Sequence, residues 1–164
     1  MMPLLKLTRI PYEEPYHIEL HVEAANGRQH ASIEYYTNAD DLSKLGDALL
    51  QFPFAESREH IYEIGTEDPA ARFAYHLPFR FFLIRPTGSS GIEIRFCNNR
   101  ESAPDREVAE FTIPCEVAGL NRLGQLLKEF GRLEHRVLEW DGIEGSLSKS
   151  ERAEQDAADQ LPAR

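Results

Sequence analysis

The stretch Leu42-Ser43-Lys44-Leu45-Gly46-Asp47-Ala48-Leu49-Leu50-Gln51-Phe52 returns in the second half of the chain as Leu120-Asn121-Arg122-Leu123-Gly124-Gln125-Leu126-Leu127-Lys128-Glu129-Phe130. Both read Leu-x-x-Leu-Gly-x-x-Leu-x-x-Phe, with a basic residue before the second leucine. Apolar residues at spacings of three and four fall on one helical face. The chain therefore has to bury two helical stripes, and one shared core is the simplest way to do so.

The likeness extends beyond the helices. Residues 31–36 and 109–114 stand at the same offset before the two copies, and both alternate apolar and polar as strands do. Glu59–Gly65 follows the first copy, and Glu134–Gly142 follows the second, alike once a short insertion is allowed. The expected unit is a hairpin, a helix and a strand, used over residues 17–65 and 91–142 with pseudo-twofold symmetry. The competing reading is chance, because leucine is common and any two buried helices share a stripe.

The remaining chain fits an α+β domain over residues 1–142. A mainly antiparallel sheet of about six to eight strands is expected, with two helices, about 39–51 and 116–130, on one face. His17–Glu23 alternates cleanly, and Asn26-Gly27 supplies a tight turn. Asn38 can cap the first helix, and Pro53 forbids its continuation. Phe79–Arg85 is apolar on both faces and reads as a central strand, with Arg72–His76 an ambiguous strand before it. Residues 1–16, with Pro11 and Pro15, read as an edge strand or an arm. The second helix is expected to stop at Gly131, although the stripe continues through Leu133, Val137 and Trp140, so one longer helix is the rival. Residues 143–164 are polar and are expected to be a disordered tail.

Charge and cysteine usage bear on partners. The formal net charge is −10, which disfavours nucleic acid and anionic membranes and permits a basic protein partner. No apolar run is long enough to cross a bilayer, and Met1–Leu7 is too short and weakly apolar for a secretory signal. The two cysteines, Cys97 and Cys115, suit a reduced cytoplasmic protein.

Chemistry is only faintly marked. His17, Glu19 and His21 share one face of a strand with Glu23, and His30 lies across the hairpin; two or three of them could hold a metal. A solvated polar face is the plainer reading. Thr87-Gly88-Ser89-Ser90-Gly91 lacks the lysine and the helix of a phosphate loop and reads as a hairpin connection. Cys115 precedes a helix, where a thiol can be activated. Tyr75, Phe79, Phe81 and Phe82 crowd one region and would form a partner site if one face of the sheet were uncovered. The leading expectation is a small, acidic, intracellular, non-enzymatic binding protein that docks a protein partner, in a toxin-neutralising or chaperone-like role. The alternatives are a metal-dependent or small-molecule enzyme using the His17/Glu19/His21 face, and a homodimeric structural protein. No cofactor is expected.

Overall fold

A computed structural model describes residues 3–14 and 16–149. The described residues form an α+β fold in the order β1 (Leu5–Glu13), β2 (His17–Ala25), β3 (His30–Thr37), α1 (Ala39–Leu50), β4 (Glu59–Gly65), β5 (His76–Leu83), β6 (Ser89–Cys97), β7 (Val108–Glu116), α2 (Val117–Phe130), β8 (Val137–Trp140) and β9 (Gly145–Ser148). The strands make two antiparallel sheets, one in the order β3-β2-β1-β8-β9 and one in the order β4-β5-β6-β7. The expected single sheet of six to eight strands is thus two sheets of nine strands in all among the described residues.

The helices form where the stripes require. Asn38 Oδ1 accepts from the Asp41 amide at 2.9 Å, closing the start of α1, and Asp40 and Asp41 suit the positive helix end. Leu42, Leu45 and Leu49 of α1, and Leu120, Leu123, Leu127 and Phe130 of α2, are all buried. Each such leucine contributes roughly 2 kcal/mol of apolar burial. They join one core with Ile18, Leu20 and Val22 of β2 and Phe79, Phe81, Ile92 and Ile94 of the second sheet.

The glycine in each stripe has a physical reason. The helices pack against each other, and a Cβ on Gly124 would lie 2.7 Å from the Gly46 carbonyl oxygen. A Cβ on Gly46 would lie 2.8 Å from the Gly124 carbonyl oxygen. Only hydrogen fits on either side of that crossing. Asn121 of α2 adds a link, donating to the carbonyls of Leu49 at 2.8 Å and Phe52 at 3.1 Å at the end of α1.

Residues 17–65 and 91–142 both contain a hairpin, a helix and a strand in that order. The closing strands are exchanged. β4 follows α1 but pairs with β5 of the second sheet, and β8 follows α2 but pairs with β1 of the first.

Three expectations are corrected. β1 is an interior strand between β2 and β8, not an edge; Pro11 is accommodated at its end, beside a register shift. Arg72–Phe73 lies in a connection after a 3₁₀ turn at Pro69–Ala71, and the strand begins at His76. Gly145–Ser148, placed in the tail, pairs with β8 because Gly145 admits a close approach to the Glu139 carbonyl. Residues 150–164 lie outside the described residues. α2 stops at Phe130, and residues 137–140 are strand, as the preferred reading had it.

Candidate functional site

His17, Glu19 and His21 do project from the outward face of β2, between inward-facing Ile18, Leu20 and Val22. Their side chains do not converge. His21 Nδ1 lies 3.4 Å from Glu34 Oε1 across the hairpin, while His30 Nε2 lies 3.8 Å from Glu23 Oε1. Residues two apart on a strand stand about 7 Å apart, so cross-strand partners win over neighbours on the same strand. Among the described residues no group of three or more His, Cys, Asp or Glu side chains is gathered to hold a metal.

The aromatic cluster resolves differently for each member. Phe79 and Phe81 are buried and face inward, so they belong to the core and are not a partner surface. Phe82 faces outward, and the Arg80 guanidinium lies 4.1 Å above its ring. Tyr75 accepts the Tyr36 amide on its hydroxyl at 3.0 Å, joining a loop of the second sheet to an edge strand of the first. The outward face around Phe82 is a lattice of charges. Arg80 bridges Glu59 and Glu93 at 2.9 and 3.2 Å, and Arg95 bridges Glu67 and Glu110 at 2.7 and 3.0 Å.

The Cys115 thiol is not activated. Cys115 lies within β7, where burial pushes its pKa up to about 11 despite the Ser90 hydroxyl beside it. Burial outweighs the nearby helix start. Cys97 is buried at the far end of the same hairpin, and both are free thiols. Of the expected connection 87–91, only Thr87 and Gly88 lie between β5 and β6, Ser89–Gly91 being the start of β6, and Gly88 accepts the Val117 amide on its carbonyl at 2.9 Å.

The buried polar groups form a structural chain. Thr37 and Tyr62 donate to Asp41 Oδ2 at 2.7 and 2.8 Å, and the Tyr35 hydroxyl lies 3.2 Å from that of Tyr62. Burial is the main cause that raises both tyrosine pKa values, so these phenols stay neutral. They tie β3, α1 and β4 together.

What remains is a groove of about 350 Å³ between β3 and the β6–β7 hairpin. Ala31, Ile33, Phe96, Val108 and Ala109 supply its apolar lining, and His30, Ser32, Asn98 and Glu107 its polar part. β3 and β7 are edge strands of their respective sheets. The alternation that sends the Tyr36 amide to Tyr75, away from β2, also turns the N–H and C=O of Ser32 and Glu34 to that free side. On β7 the Thr112 carbonyl accepts from Asn26 Nδ2 at 3.2 Å, so Glu110 and Val108 turn their polar groups outward as well. Pro114 has the same parity, and its missing N–H falls on the free edge.

The far end of the groove is shaped by the 98–107 loop. Asn98 organises it: its Oδ1 accepts from the amides of Arg100 and Glu107 at 3.2 and 3.0 Å, and its Nδ2 donates to the Asp105 carbonyl at 2.8 Å. None of these residues was marked by the sequence reading. The paired asparagines at 98 and 99, at the mouth of a polar connection, were the only signal of a built loop.

No known protein family, curated protein or solved structure matches this chain. Among the described residues no helix is long and apolar enough to cross a membrane.

Proposed function

We propose that the chain is a non-enzymatic binding module that takes an extended, basic segment of a protein partner along the groove between β3 and β7. The observation that carries this reading is two edge strands, with outward backbone groups at Ser32, Glu34, Val108 and Glu110, beside one groove of mixed apolar and polar lining. An added strand would gain main-chain hydrogen bonds from an edge and side-chain contacts with Ile33 and Val108. The choice of a basic segment rests on charge. The whole chain carries −10, and Glu34, Glu107 and Glu110 stand along the two edges.

The test is capture from native cell extract at low and high salt, with mass spectrometry of what is retained, followed by variants of the groove. A stoichiometric basic partner released by high salt is expected. Ser32→Pro removes an outward N–H without touching the β2–β3 ladder, and should abolish capture while leaving the melting temperature nearly unchanged. Glu107→Lys should weaken capture and flatten its salt dependence. A partner held equally by both variants would refute the groove as the docking site.

A further inference from the structure

A second cavity, of about 320 Å³, lies on the other side of the 98–107 loop, between that loop and the β4–β5 connection. Arg72, Arg100 and Arg106 line it together with Phe73 and Asn99. Glu67, Asp68 and Glu101 share the lining, so the pocket holds as many guanidiniums as carboxylates in a chain of net charge −10. Two of those carboxylates are already engaged. Arg95 holds both oxygens of Glu67 at 2.7 and 2.8 Å, and His76 adds a contact at 2.6 Å. Asp68 accepts the Ala70 amide at 3.0 Å. The guanidiniums are not so engaged. Among the described residues Arg72 and Arg100 have no side-chain partner, and Arg106 donates only to the Arg100 carbonyl at 2.9 Å.

The pocket walls are fastened at a cost. Arg72 and Asn99 adopt φ of 55° and 53°, a region that non-glycine residues rarely occupy. Asn99 Nδ2 donates to the carbonyls of Thr66 at 2.8 Å and Phe73 at 3.0 Å, which joins the two loops and sets Phe73 at the pocket with half its surface exposed. Planar guanidiniums match the oxygens of a phosphate in pairs, and an exposed aromatic face takes a flat ring. The volume is at the lower end of small-molecule sites.

We propose that this pocket binds a phosphate-bearing small molecule with a flat ring, of the mononucleotide class, its phosphate held by Arg72, Arg100 and Arg106 and its ring laid on Phe73. The site is separate from the groove and stands without it. The shared chemistry, a phosphate, also belongs to simple sugar phosphates, so the test has two probes. The full chain is titrated with adenosine monophosphate and with ribose 5-phosphate, read by amide NMR. Both should give saturable shifts confined to residues 66–75 and 98–107. Arg72→Gln combined with Arg100→Gln should weaken both at least about tenfold. Phe73→Ala should weaken the nucleotide and leave the sugar phosphate unchanged. These side chains are exposed, so the variants should unfold in urea as the parent does. Shifts that do not saturate, binding unaffected by the double substitution, or a nucleotide bound equally well by Phe73→Ala would each overturn the proposal.

Discussion

The two hairpins that precede the helices make the most informative pair in the molecule. β2 and β3 are joined by a short turn at Asn26-Gly27, where Gly27 takes φ of 91° and Asn26 Oδ1 accepts the amides of Arg28 and Gln29. β6 and β7 are joined by the whole 98–107 loop, braced by Asn98. The helices that follow share a buried leucine stripe and meet glycine to glycine. Where the halves agree, the shared element holds the core. Where they differ, the extra chain builds the groove on one side of itself and the arginine pocket on the other. The tight turn adds little but register; the long loop adds surface chemistry.

Substitutions can break or sharpen that contrast. Leu123→Asp has the largest expected effect, because it buries a carboxylate without a partner at the helix crossing; no cooperative unfolding transition should be seen by circular dichroism. Gly124→Ala comes next. Alanine raises helix propensity by about 1 kcal/mol, but its Cβ would press on the Gly46 carbonyl and the Leu50 amide, both backbone, for a net loss of about 2 kcal/mol in urea. Asn121→Ala should cost about 1–2 kcal/mol by stripping the last carbonyls of α1, whereas Ser43→Ala at the equivalent position of α1, with no such bond among the described residues, should cost less than about 0.5 kcal/mol. A large loss from Ser43→Ala would mean that the halves are more alike than their hydrogen bonds suggest.

At neutral pH no change of shape is expected from the last contrast, which concerns acid dependence near the arginine pocket. Hydrogen bonds from Arg95 and then His76 hold the Glu67 carboxyl near a pKa of about 2, below its ordinary 4.5. A depressed carboxyl stabilises the fold above its unfolded pKa, and that contribution is lost as pH falls from 4.5 toward 2. Glu67→Gln should flatten the stability profile in that acid window and leave its shape at neutral pH unchanged. An unaltered acid limb would show that the Arg95 contact contributes nothing in solution.

The helices, their bounds and the inward face of β2 were legible because burial imposes a period that side chains must obey, at Leu42, Leu45 and Leu49 as at Ile18, Leu20 and Val22. β1 was misjudged because Pro11 and Pro15 resemble edge signals; what places it inside the sheet is pairing with β8, which no local pattern announces. Phe79 and Phe81 were candidates for a partner site only if one face of the sheet were uncovered; their face of the second sheet instead packs into the core shared with the first sheet and both helices. The groove and the arginine pocket were invisible for a different reason. The groove is built from strands of different sheets and the pocket from separate loops, and Asn98 and Asn99 matter through the backbone groups they hold rather than through any spacing.

The exchange of closing strands has a temporal consequence. Leu5 finds its place opposite Trp140, and Glu59 opposite Phe82, so each sheet is completed by a strand from the other half. During synthesis β1 waits for nearly the whole described chain before β8 emerges to cover its edge, and a fragment ending after β4 leaves β1 unpaired on one side and β4 without a partner strand. Contacts so remote in sequence slow folding, because the intervening loop must close before they give any return. Neither half is therefore expected to fold alone, and the nascent chain carries an open strand edge until its last strands are made.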